Sequence, residues 1–173
     1  MKRVRISLIA AVMVVGAFAG ILLYKVQKVS ASEYKFQNRD RATDFHALGM
    51  IERGRNTFRY DTFQDQDFWG GTLQLHKAIE GQKLGGIGPG VSPATALAVG
   101  LKVDQDALPQ SLIRQLKQGK VNLNDPAVTV ALLKLNAVVG LTGYFDRSGR
   151  LVSLGTQCAL CHSTVDNSLA PGI

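Results

Sequence analysis

Cys158 and Cys161 are the only two cysteines of the 173-residue chain, and His162 follows the second directly, in the stretch QCALCHSTVDNSLAPGI. Two thiols and an imidazole at this spacing permit four kinds of chemistry. A redox-active pair of the thioredoxin kind would need a βαβ setting, and the sequence before Cys158 has a mostly helical pattern. A structural zinc ion would need four ligands, so two thiolates and His162 leave one to be found elsewhere. A plain disulfide would close a short, strained loop. The fourth chemistry gives the histidine its place: Cys-x-x-Cys-His is the attachment signature of covalent haem. Two intervening residues let both sulfurs reach the vinyl groups on one porphyrin edge, and the next residue can turn its imidazole under the iron. Cys158 and Cys161 are then the cofactor-binding residues of one covalent haem, and His162 is the proximal iron ligand.

The opposite face of the iron calls for a second ligand or a substrate. Residues 163–173 contain neither Met nor His, so a ligand from this chain must come from upstream, where His46, Met50 and His76 are the candidates. His76 is the preferred distal metal ligand, because helical spacing places it beside Trp69 and Leu73 on an aromatic-rich face. The ordinary alternative is a partly buried, hydrogen-bonded histidine. His46 and Met50 lie four residues apart and share a helical face, where Met50 also reads as a core side chain.

The elements that must position these residues are mostly helical. Phe45, Leu48 and Ile51 set a helical spacing near 40–54. In DTFQDQDFWGGTLQLHKAIEG, Phe68, Thr72, Leu75 and Ile79 share one face, which predicts a second helix over 65–80 ending at Gly81. GQKLGGIGPGVSP reads as loop; its glycines match neither the dinucleotide nor the P-loop fingerprint, which leaves a turn-forming segment near the haem edge. Asp106 and Pro109 open a helix that carries Leu112, Ile113 and Leu116 and closes at Gly119. Asp125-Pro126 opens another through Val138, with Val130, Leu133 and Ala137 facing inward. LTGYFDRSGRLVSLG holds two β-prone runs around Asp146-Arg147-Ser148-Gly149, a hairpin that leads straight into the cysteine motif. Asp65-Gln66-Asp67 begins like a calcium loop, but Trp69 and His76 stand where oxygen ligands belong. Arg53, Arg55 and Arg59 could meet haem propionates, against the plainer reading of a solvated or locally paired face.

The formal charge of +7 invites a nucleic-acid reading until its position is examined. Lys2, Arg3, Arg5, Lys25 and Lys28 fall within residues 1–31, which hold no acid, so residues 32–173 carry fifteen basic and thirteen acidic side chains. The basic balance is mostly an address, and no nucleic-acid partner is expected. Residues 6–24 are uncharged; as a helix they would extend roughly 28 Å, close to the hydrocarbon thickness of a bilayer. Residues 1–31 therefore read as a signal anchor spanning at 6–24, or as a signal peptide cleaved after Val29-Ser30-Ala31. Either way the positive start stays inside and residues 32–173 lie outside the cytoplasm, in the periplasm, tethered to the inner membrane or released.

Residues 158–162 resemble the haem motif of c-type cytochromes. GRNTFRYDTFQDQDFWG (54–70), LGGIGPGVSPATALAVGLKVD (84–104), LNDPAVTVALLKLNAVVG (123–140) and QCALCHSTVDNSLAPGI (157–173) resemble the N-terminal part of larger bacterial periplasmic di-haem cytochromes c, of the cytochrome c peroxidase-like group. The resemblance implies a mainly α, cytochrome c-like haem domain over 32–173, with a short β-hairpin before the haem helix. It implies electron transfer through haem c to redox partner proteins, with a di-haem peroxidase-like oxidoreductase as the alternative activity. Those relatives carry a second Cys-x-x-Cys-His that this sequence lacks. The haem domain is accordingly expected to be incomplete, the N-terminal piece of a longer protein.

Overall fold

Punctuation by proline, glycine and aspartate sets most of the elements. The computed structural model describes residues 38–173, and the chain divides into two units, Met1–Glu52 and Arg53–Ile173. Residues 38–60 are helical (α1). In the second unit follow a π-helical turn, Asp67–Thr72, then α2 (Leu75–Glu80), α3 (Pro93–Ala98), β1 (Lys102–Val103), α4 (Gln110–Lys117) and α5 (Pro126–Lys134). The chain continues through β2 (Val138–Val139), β3 (Leu141–Phe145), β4 (Leu151–Thr156) and the one-turn helix α6 (Ala159–His162). The described fold is mainly α with two small antiparallel sheets.

The starts of α3 and α5 follow the same logic. Pro93 and Pro126 take the first helical position, where a missing N–H costs nothing. Ser92 Oγ accepts from Thr95 N at 3.2 Å, and Asp125 Oδ1 accepts from Ala127 N at 3.0 Å. The hairpin β3–β4 turns at Asp146–Gly149 as the sequence indicates. Asp146 Oδ1 accepts from the backbone N–H of Ser148 at 2.9 Å and of Arg150 at 3.0 Å, with Gly149 at φ +82°. Leu141 pairs with Thr156 and Gly143 with Leu154; the register shifts between Tyr144 and Phe145. The core gathers Ile79 of α2, Leu132 and Leu133 of α5, Val138 of β2, and Leu151 and Leu154 of β4.

Three expectations are corrected. The first helix runs over 38–60 rather than 40–54, and Phe45, Leu48 and Ile51 on it are exposed, Phe45 at 76%. The helix expected over 65–80 is broken: the π-turn gives way at Leu73, and Gln74 takes a left-handed φ of +52° before α2 starts. The break follows from packing. Gly70 is pressed so closely on β4 that a Cβ there would lie 2.8 Å from Leu154 N. As a result Ile79 and His76 are buried while Phe68 and Leu73 are exposed. The helix expected to run to Val138 stops at Lys134, because Asn136 turns left-handed at φ +53°. That turn frees Val138 and Val139 to pair antiparallel with Val103 and Lys102.

Candidate cofactor-attachment site

The hairpin delivers the chain into the motif. At the end of β4, Thr156 N donates to Asp65 Oδ1 at 2.9 Å and the Thr156 hydroxyl donates to the same carboxylate. Trp69 Nε1 donates to Asp65 Oδ2 at 3.1 Å. The carboxylate that begins the calcium-like stretch is thus spent on the strand end.

Gln157 comes next and is buried. Its Oε1 accepts from Gly140 N at 3.0 Å and from Arg59 Nη1 at 3.0 Å; its Nε2 donates to Thr142 Oγ1 at 2.8 Å; its backbone N donates to Gly140 O at 2.9 Å. Every polar group of this side chain has a partner, as burial demands. Arg59 Nη2 also donates to Asn136 O at 2.9 Å and lies 3.6 Å from Asp104 Oδ2. The Arg59 guanidinium is therefore held inside the protein and not offered to a propionate. Sequence reasoning missed Gln157, since one polar residue beside a cysteine leaves no periodic or motif signal.

Cys158 stands just before α6. Leu160 N donates to Gln157 O at 3.0 Å and His162 N to Cys158 O at 3.2 Å, which closes the helical turn. Ser163 Oγ donates to Ala159 O at 2.5 Å and stops it. Within the turn the side chains separate by face. Ala159 is wholly buried, and Leu160 lies against Gly140, where a Cβ would come 2.5 Å from Leu160 Cα. Gly140 also sits at φ +96°, so glycine is required there for both reasons. Cys158, Cys161 and His162 are exposed, and the thiols are free. Positions i, i+3 and i+4 of a helix share one face, so the turn's two filler residues anchor it and its three reactive residues face out together.

The other sequence candidates lie elsewhere. His46 and Met50 are exposed on α1. His76 is buried in α2, which packs against β4 and α5, and it makes no hydrogen bond to the motif. Its Nδ1 and the hydroxyl of Thr129 are the buried side-chain polar atoms without a partner among the described residues. Burial lowers the His76 pKa from its ordinary 6.5, opposed by nearby Glu80. The glycine loop packs on α2 and α5: a Cβ on Gly86 would meet Lys77 O, and one on Gly90 would meet Pro126. After α6 the chain runs without helix to Ile173, which is buried, while Gly172 O accepts from Val103 N at 2.9 Å.

Among the described residues no three His, Cys, Asp or Glu side chains gather where they could hold a metal ion. Cys158, Cys161 and His162 share one face of the turn. Attachment to a porphyrin would call for two reduced sulfurs along one edge and an imidazole able to reach the iron. The donor set fits a haem, with free, exposed thiols and an exposed imidazole on one turn. Compared with models of protein families, with curated proteins and with solved structures, the chain matches none of them.

Proposed function

We propose that the protein is a periplasmic c-type cytochrome that carries one covalent haem c and transfers electrons. What carries this reading is the outward face of α6, where Cys158, Cys161 and His162 stand exposed together while Ala159 and Leu160 fix the turn to the core. Cys158 and Cys161 would hold the haem through thioethers, each made by adding the S–H bond across a vinyl double bond so that nothing is released. Such addition needs reduced thiols, and both are free. His162 would supply the nitrogen that binds the iron. A bound haem contributes a one-electron iron couple, and the protein adjusts it through axial ligation and burial. His76 is the candidate within this chain for a second iron ligand, and the haem domain is read as cytochrome c-like.

The test is co-expression of the full chain with cytochrome c maturation machinery, followed by intact mass and a pyridine haemochrome spectrum. The expected product is heavier by one haem. His162→Ala should retain some attachment and shift the Soret band, because the proximal ligand is gone. A chain of unmodified mass beside a correctly matured control cytochrome defeats the proposal; one lighter by two hydrogens reassigns the cysteines to a disulfide. Peroxide turnover by the loaded protein would move the function to the peroxidase-like oxidoreductase.

A further inference from the structure

Ala159 is buried and Leu160 packs on Gly140, and apolar packing of this kind fixes distance but leaves rotation soft. Hydrogen bonds fix direction, and α6 is only four residues long. A helix this short does not hold itself together in water, since nucleation costs more than one turn returns. Its geometry must be imposed from outside.

The only side chain adjoining Cys158 on the N-terminal side is Gln157, and its amide is held at both ends. Thr142 Oγ1 accepts from its Nε2 and in turn donates to Tyr60 O at 3.1 Å. Gly140 N and Arg59 Nη1 both donate to its Oε1 at 3.0 Å. Of these partners Arg59 is the one that brings charge, and a charged donor makes the stronger bond. Arg59 is itself fixed in orientation: Nη2 donates to Asn136 O at 2.9 Å, Nη1 lies 3.4 Å from Val138 O, and Asp104 balances the charge. The planar guanidinium therefore joins the segment after α5, the strand β2 and the residue that precedes the motif.

We infer that Arg59, acting through Gln157, is the positioning residue of the Cys158–His162 turn. It holds the turn so that both sulfurs address the same edge of a ligand. The functional consequence rests on the haem-attachment reading; the geometric claim does not, so the two can fail separately. Lysine does not replace Arg59 here, because an ammonium on a flexible stem cannot meet Gln157, Asn136 and Asp104 in one plane.

The experiment has two arms on the full-length chain. In the haem-free chain, amide hydrogen exchange is measured for Gln157→Leu, Gln157→Glu and Arg59→Lys. Gln157→Leu and Arg59→Lys are expected to speed exchange at Leu160 and His162 by about tenfold or more, with the protected amides of β3 and β4 unchanged. Gln157→Glu should restore protection, because its carboxylate still accepts from Gly140 N and Arg59 and Thr142 can turn its hydroxyl proton inward. Exchange that rises equally throughout, or not at all, overturns the positioning role. In the second arm the matured proteins are compared by the haemochrome α-band, which separates one thioether from two. Gln157→Leu should lose doubly attached haem several-fold, and Gln157→Glu should regain it. Wild-type levels of double attachment in all three variants would also overturn the inference. A wild-type chain that takes up no haem while the exchange pattern holds would sink the haem reading and leave the positioning role standing.

Discussion

Burial takes His76 out of water without giving its Nδ1 a hydrogen-bond partner, and the charged form suffers most from that. Desolvation is the largest cause of its lowered pKa; Glu80 pulls the other way and Lys77 adds to the lowering. The sign for stability follows. The unfolded chain binds a proton near the ordinary value of 6.5, while the folded chain resists until a lower pH. Between the two the unfolded state holds more protons, so the haem-free chain should lose stability as pH falls below about 6.5. Urea midpoints at pH 7.5 and 5.5 measure this, and His76→Gln should flatten the difference. An equal drop in both proteins would assign the effect elsewhere. The lowered Asp146 and Asp166 do not interfere: hydrogen bonds from Ser148 and Ser168 stabilise their charged forms, and that contribution fades only as pH falls below the ordinary 3.8. The sequence offers His76 as an iron ligand or as a partly buried, hydrogen-bonded histidine, and its burial fits the second reading while its Nδ1 does not. The missing partner was not legible there, since that depends on which side chains α5 and β4 place opposite.

At the scale of elements, local punctuation was legible where the requirement is local and not where a distant contact decides. Pro109, Pro126 and the Asp146–Gly149 turn stand where their backbone requirements put them, because a fixed φ or a capping carboxylate acts within four residues, whereas the helix opened by Pro93 lies where the sequence reads as loop. α2 ends at Gly81 as the sequence indicates, but the break inside the expected 65–80 helix and the end of α5 depend on partners far along the chain. Apolar spacing from Phe68 to Ile79 predicts one helix, yet the demand of β4 for close approach at Gly70 forces a π-turn and a left-handed Gln74. The adjacent glycines give a paired test. At Gly70 an added Cβ would lie 2.7 Å from Ser153 Cβ and 2.8 Å from Leu154 N, so backbone as well as side chain must move. Gly70→Ala should cost about 1–3 kcal/mol, the usual range for overpacking. Gly71 has no atom within 4 Å of an added Cβ. Gly71→Ala should be neutral or stabilise by about 0.4–1 kcal/mol through the unfolded state. Urea unfolding of the two variants decides it; equal effects would mean that the glycine pair serves flexibility and not the contact with β4.

For the whole molecule, the Cys-x-x-Cys-His pattern was legible and the contacts that support it were not. Cys158, Cys161 and His162 are a short-range pattern, whereas Arg59 and Gln157 are 98 residues apart and meet only in the fold. The expected address is also a short-range pattern, and residues 6–24 lie outside the described residues. Among those that are described, no helix is long and apolar enough to cross a membrane. Address and fold should therefore be separable. The double substitution Val14→Arg and Val15→Arg places two charges at the centre of the apolar run, each costing about 2.5–3.5 kcal/mol on insertion scales. The variant should remain in the cytoplasm with unmodified mass, while residues 53–173 keep the amide protection of the wild type, because the described core cluster and the Gln157 hydrogen bonds are built from residues of 53–173. Fractionation, mass and amide exchange read the three outcomes from one preparation. N-terminal sequencing of the wild type then distinguishes a chain released at Ser32 from one anchored by 6–24. A variant retained inside the cell that still gains haem would break the link between address and attachment, and a wild-type chain found in the cytoplasm from Met1 would remove the thiols from the compartment where covalent attachment is expected.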